Sequence, residues 1–142
     1  MLQDRIVQAA EAAHKQHWQA TSDESTGDKQ ATAVTRAWQR AIESEDVQVE
    51  VPVADHLGER LDAVDLATAT AYEMKVSGKN PHHEFYKDIF KVIVYNQHHE
   101  RKLERLVFIT EEMGADRLSR GLGQAVTESG NQFGVSITVV GV

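Results

Sequence analysis

Arg60-Leu61-Asp62-Ala63-Val64-Asp65-Leu66 and Thr70-Ala71-Tyr72-Glu73-Met74-Lys75-Val76 are the two stretches whose reading decides the fold of this 142-residue chain. Both mix β-branched, aromatic and other apolar residues with single charges, the composition of a half-buried strand. Only Ala67-Thr68-Ala69 separates them, so an antiparallel hairpin is expected, although the connection lacks the Gly or Asn that usually marks a tight turn. A turn centred between Ala67 and Thr68 places Asp62 opposite Glu73 on one face of the sheet. Lys75, two residues beyond Glu73, shares that face, while Tyr72, Met74 and Val76 alternate to the other side and pack.

Two carboxylates and an ammonium on a half-buried face are costly unless they are paired or bind something. A divalent cation resolves the conflict. Asp and Glu oxygens are hard ligands suited to Mg²⁺ or Mn²⁺, which keep waters for a nucleophile and a substrate phosphate. The expected ligands are Asp62, Glu73 and the backbone carbonyl of Met74. Lys75 beside them is expected to orient or help deprotonate an attacking water and to stabilise charge developing on a phosphate. The competing account is a surface salt bridge from Lys75 to Glu73 or Asp62, contributing ~0–1 kcal/mol and needing no function.

Upstream, Val47, Val49, Val51 and Val53 alternate with Gln48, Glu50 and Pro52, which predicts a strand over 47–53 with one wet face, ending or lying at a sheet edge at Pro52. Two amphipathic helices precede it. The first spans 3–20, with Ile6, Val7, Ala10, His14, His17 and Trp18 at steps of three and four; the second spans 30–44, with Val34, Trp38, Ala41 and Ile42. The polar run from Thr21 to Asp28 reads as the loop between them. Downstream, Ser77-Gly78-Lys79-Asn80-Pro81 is a breaker. A largely buried helix is expected over 83–97, with Phe85, Ile89, Val92, Ile93 and Asn96 on one side and Phe90 and Val94 on another. Leu106 to Thr110 reads as a central strand covered on both faces, 115–129 as a helix and 135–140 as the last strand. The order is ααβββαβαβ, a single α/β domain over 1–142, with two helices in 1–44 and a sheet core with two helices in 46–142.

The pair Arg60-Leu61-Asp62-Ala63-Val64-Asp65 and Tyr72-Glu73-Met74-Lys75 resembles the Asp…Glu-x-Lys signature of the PD-(D/E)XK nuclease superfamily, over about residues 30 to 112. The resemblance implies a restriction-endonuclease-like fold, a mixed β-sheet flanked by helices, whose αβββαβ core is extended here by a helix and a strand. It implies a hydrolase, most readily a DNA endonuclease, that breaks phosphodiester bonds with Mg²⁺ or Mn²⁺. Asp62 and Glu73 then hold the metal and Lys75 is catalytic. Leu61 stands where Pro is common in the family, and the helix after the motif lacks the Gln-x-x-x-Tyr feature of some branches. That helix presents Glu84, Asp88 and Lys91 at one-turn spacing, and such a helix often lends a polar residue to the site, which makes Glu84 and Lys91 additional candidates. A Glu near the first core helix sometimes assists with metal in these folds; Glu43 and Glu50 both stand as candidates. Symmetric double-strand cleavage needs a homodimer, and a partner protein is the other source of specificity. Restriction, phage defence, repair, junction resolution and toxin action all use the fold.

Charge narrows the mode of binding. The net charge of -7 argues against bulk electrostatic attraction to nucleic acid, yet residues 1–74 carry 6 Lys/Arg against 14 Asp/Glu and residues 75–142 carry 9 against 8. Lys79, Lys87, Lys91, Arg101, Lys102 and Arg105 are candidates to follow a phosphate backbone, or form a solvated face. DNA is favoured over RNA, with loops 54–59 and 77–83 reading any sequence, and 6% aromatics give base stacking little support. The absence of cysteine excludes disulfides, thiol catalysis and cysteine-ligated zinc. With no leader pattern and no apolar run of the roughly 18 residues that a spanning helix needs, a soluble, cytoplasmic protein without a membrane partner is expected. His98 and His99 are expected to cap a helix C-terminus, His14 and His17 to pack beside Trp18, and Asp65 to be a solvated strand-end residue. The alternative class is a catalytically inactive nuclease fold or an acidic protein-interaction module presenting Trp18 and Trp38.

Overall fold

A computed structural model of the chain describes residues 2–18, 24–76 and 81–142. Its elements are α1 (Leu2–His17), α2 (Glu24–Ile42), β1 (Val47–Pro52), β2 (Arg60–Asp65), β3 (Thr70–Lys75), α3 (Pro81–His98), β4 (Arg105–Thr110), α4 (Glu112–Phe133) and β5 (Ser136–Gly141). The strands form one five-stranded mixed sheet in the order β1-β2-β3-β4-β5. β1, β2 and β3 are an antiparallel meander, and β4 and β5 run parallel to β3. Each parallel join passes through a helix, α3 or α4, as a crossover between parallel strands requires. The middle strand is β3 rather than β4, and Pro52 closes an edge strand, where its missing N–H costs no ladder bond.

The hairpin register follows from the turn position: Ala63 faces Tyr72, Val64 faces Ala71 and Asp65 faces Thr70. Ala69 takes the left-handed conformation, φ 52°, that the connection needs and that Gly or Asn normally supplies. Its carbonyl is held there by the N–H groups of Glu104 and Arg105, at 2.7 and 3.1 Å. Asp65 is not solvated but fully buried. Its Oδ1 accepts from the Ala67 N–H at 3.0 Å and its Oδ2 from the Thr68 hydroxyl at 2.8 Å, so the carboxylate builds the turn that the sequence lacks a Gly to make.

Helices cover both sheet faces. Ile6 and Ala10 of α1 and Val34 and Trp38 of α2 pack with Val47, Ala63, Tyr72, Met74 and Ile109. The buried Trp38 indole donates to the Ile6 carbonyl at 3.1 Å, which ties α1 to α2. On the other face, Val92 and Tyr95 of α3 meet Leu61, Val64, Ala71 and Leu106, while Phe85 and Leu118 close on Phe108.

Several boundaries differ from the periodicity. α2 begins at Glu24, so the polar run is helical from there on, and 21–23 lie outside the described residues. Polar residues cost little in a first turn when Val34 and Trp38 anchor the later ones. α1 ends at His17. α4 runs on to Phe133 and stops at Gly134, whose φ of 69° and N–H bond to the Gly130 carbonyl form a left-handed cap. α3 is not buried all round: Phe85, Val92 and Tyr95 face the sheet, but Phe90 is 66% and Tyr86 54% exposed.

Candidate functional site

Strand pairing fails where the charged residues lie. Between β1 and β2, Val49 faces Ala63 and Val51 faces Leu61, but Glu50 and Asp62 between them make no pair. Glu50 sits at φ 51°, a left-handed conformation that costs a non-glycine residue of order 1–3 kcal/mol. The strands turn over at this point. Val49 and Ala63 pack beneath α1 and α2, whereas Val51 and Leu61 pack beneath α3, so the β1 valines do not share the single face that strict alternation predicts. On its other side, β2 pairs with β3 from Asp65 to Ala63 and no further toward Asp62.

Beyond that break, side chains take over the backbone's hydrogen bonds. The Asp62 N–H donates to Glu73 Oε1 at 3.1 Å, and the Met74 N–H donates to Asp62 Oδ2 at 2.9 Å. The Asp62 carbonyl accepts from Gln39 Nε2 at 2.9 Å, and the same nitrogen reaches Glu50 Oε1 at 3.0 Å. The expected ligands Asp62 and Glu73 therefore meet, each carboxylate gripping the other strand's main chain, with α2 fastened behind them.

Glu73 faces α3 and is fully buried, as is Asp88 on that helix. Lys91 Nζ stands between them, 3.4 Å from Glu73 Oε1 and 3.3 Å from Asp88 Oδ1, and donates to the Arg60 carbonyl at 2.9 Å. Glu73 Oε2 and both Asp88 oxygens are buried without any hydrogen-bond partner. Burial, reinforced by the charges of Asp62 and Asp88, holds the Glu73 carboxyl well above the usual carboxylate range. Burial pushes Asp88 up to about 6, against the pull of Lys91 and Lys75. Burial alone would lower the Lys91 ammonium; Glu73, Asp88 and Asp62 outweigh it and hold it above the ordinary lysine value.

Lys75 is one-third exposed, with Nζ 3.7 Å from Glu84 Oε2. Both line an open cavity of about 450 Å³ with Met74, Gln39, Glu50 and Arg36. It lies at the carboxyl end of β3, the end of a parallel sheet at which ligands characteristically bind. Buried carboxylate oxygens with no donor are what a hard divalent cation would satisfy, so the donor set suits Mg²⁺ or Mn²⁺. Among the described residues, no group of three or more His, Cys, Asp or Glu is arranged to hold a metal ion. Asp62 and Glu73, with the main chain of Met74, form a smaller set.

Of the other candidates, Glu84 and Glu50 both lie on the cavity wall, Glu50 joined to the Asp62 carbonyl through Gln39, and Lys91 stands behind Glu73. Glu43 is exposed, and its N–H donates to the Gln39 carbonyl. Sequence reasoning missed Gln39, an amide beside a core Trp that carried no signal of its own. It passed over Asp88, whose spacing from Glu84 and Lys91 was the available clue. The basic residues do not form one track. Arg101, Lys102 and Arg105 cluster at the hairpin turn, and Arg105 is level with Thr70 whereas Lys75 is level with Thr110, about 17 Å away along the strand. Lys87 pairs with Glu59 at 3.9 Å, Lys91 is buried, and Lys79 lies outside the described residues with the rest of 77–80. His99 Nδ1 lies 2.9 Å from the Tyr95 carbonyl just beyond α3, and His98 lies in the last turn of that helix, where it also meets His56 edge-on. His14 stacks on Trp18, as packing predicts.

Comparison with protein-family models, with curated proteins and with solved structures finds no match, so what the site can do has to be read from its own geometry. Among the described residues, no helix is long and apolar enough to cross a membrane.

Proposed function

We propose that the chain is a metal-dependent nuclease with a restriction-endonuclease-like fold, hydrolysing phosphodiester bonds, with DNA the favoured substrate. The observation that carries this reading is the pair Asp62 and Glu73, brought together where strand pairing breaks, beside a solvent-reaching Lys75. Asp62, Glu73 and the Met74 carbonyl would hold Mg²⁺ or Mn²⁺, which when bound supplies Lewis-acid activation of water and phosphate. Lys75 reaches into the cavity, where its ammonium orients the attacking water and counters charge developing on the phosphate. Glu84 keeps Lys75 on the cavity side, and Gln39 fixes the Asp62 backbone from behind. DNA rather than RNA follows from the family resemblance, and symmetric double-strand cleavage would take two copies or a partner.

One observation favours a second reading, an inactive or protein-binding module. Glu73 Oε1 and Asp62 Oδ2 already accept backbone N–H groups, so the clasp can serve structure alone. An interface through Trp38 is removed from that reading, because Trp38 is fully buried. The test is cleavage of supercoiled plasmid, single-stranded DNA and RNA by wild type, Glu73→Ala and Lys75→Ala, with Mg²⁺, Mn²⁺ or EDTA. Metal-dependent DNA cleavage is expected, falling by about 10²–10³-fold in Lys75→Ala and lost in a folded Glu73→Ala. Cleavage that persists in EDTA or in both variants refutes the nuclease site. Unchanged Mn²⁺ affinity in Glu73→Ala supports the structural clasp.

A further inference from the structure

Two buried carboxylates share one buried ammonium behind the proposed metal ligands, and this arrangement is more than the metal-dependent reading needs. Lys91 is equidistant, within 0.1 Å, from Glu73 Oε1 at 3.4 Å and Asp88 Oδ1 at 3.3 Å. Beyond the Lys91 ammonium, neither Asp88 oxygen meets a hydrogen-bond donor among the described residues, and Glu73 Oε2 likewise meets none. A buried ion pair ordinarily satisfies its remaining lone pairs with further donors, because the desolvation cost is otherwise left uncovered. Here one cation is spread over two anions, and beyond it the second anion has only the more distant charge of Lys75.

Resting on the reading above, we propose that Lys91 is a place-holding cation and that Asp88 is a positioning residue which receives it. Without metal, the ammonium partly neutralises Glu73 and keeps the β2–β3 clasp closed. When a divalent cation engages Glu73, like-charge repulsion drives the ammonium away, and Asp88, one turn along the same helix, already stands within reach. The Arg60 carbonyl, at 2.9 Å, gives Lys91 a fixed pivot during that shift. Asp88 thus raises metal affinity without touching the metal.

The shift predicts a specific coupling. Mn²⁺ binding is measured by titration calorimetry on wild type, Asp88→Asn, Lys91→Met and the double variant, each checked for folding by circular dichroism. Asp88→Asn is expected to weaken Mn²⁺ binding about tenfold, because the ammonium then stays on Glu73. Lys91→Met is expected to strengthen it by a similar factor, and adding Asp88→Asn to Lys91→Met should change nothing further. If Asp88→Asn weakens binding equally in both backgrounds, Asp88 is a direct ligand and the proposal is wrong. If it changes affinity in neither, Asp88 is only structural and the proposal is again wrong. Should Lys91→Met not fold, the side-chain ¹⁵N signal of Lys91 in the wild-type protein decides: it must move on Mg²⁺ addition, and a signal that stays put overturns the inference. Wild type that binds no metal at all would overturn the nuclease reading as well, an outcome distinct from each of the others.

Discussion

The two faces of β3 treat neighbouring residues in opposite ways. Tyr72 and Met74 enter the layer beneath α1 and α2, where most contacts are apolar and the Trp38 indole has its acceptor, although His14 Nε2 of α1 is buried without a hydrogen-bond partner. Glu73, between them, enters the α3 side, where Glu73 Oε2 and both Asp88 oxygens have no hydrogen-bond donor. A face selected for stability alone would resemble the first, since replacing a buried ion cluster by apolar groups is often neutral or stabilising. Both faces carry an apolar core, and the contrast lies in the buried charge that the α3 face carries in addition.

The comparison can be broken first on its apolar side. Trp38→Ala should destabilise the protein by about 3–5 kcal/mol in urea unfolding, through the cavity it leaves and the tie between α1 and α2 that it removes, while Mn²⁺ affinity of the folded fraction is unchanged. A loss under about 1 kcal/mol would mean that α1 and α2 do not carry the core. The charged side should respond with the opposite sign. Glu73→Gln keeps an oxygen to accept the Asp62 N–H and removes a buried charge, so in EDTA the variant should be more stable by about 1–2 kcal/mol in thermal melts, although it no longer supports cleavage. A less stable variant would show that the Lys91 pairing outweighs desolvation. The smallest effect concerns Tyr72, which burial, aided by the charge of Asp65 and opposed by Arg105, raises from 10.0 to about 12. The folded state then keeps the phenolic proton longer than the unfolded state does, so stability should fall as pH rises from about 10 to about 12. Tyr72→Phe should flatten that slope in pH-dependent melts; an unaltered slope would assign it to another group.

How much of this was legible in the sequence depends on whether the signal was local. The hairpin register from Asp65 to Ala63 followed from turn position and period-two parity, which a short strand pair obeys closely, but Asp62 and Glu73 meet beyond the last paired residues, through side-chain bonds that parity does not describe. The element order followed from changes of period. Glu50 defeated the same logic: alternation predicts a flat β1, but one left-handed residue turned the strand over, and nothing in Val-Glu-Val announces a positive φ. Asp65 looked solvated because a carboxylate beside a turn usually is, and its burial is explained only by the turn donors it meets. The site's supporting shell was the least readable. Gln39 and Asp88 act across 23 and 15 residues of sequence to Asp62 and Glu73, and no pattern within a helix encodes what lies opposite it.

The bond from the Trp38 indole to the Ile6 carbonyl has a practical consequence for handling the protein. α1 holds none of the site's residues, yet it carries the acceptor for a donor that lies next in the chain to Gln39, the side chain that pins Asp62. A protease that clipped α1 from the remainder would strand an indole N–H in an oily pocket one peptide unit from the machinery, and a chain shortened to begin at α2 would inherit that injury. Purification should therefore follow intact α1 as closely as it follows activity, because a preparation that has shed it would be less stable for reasons unrelated to chemistry.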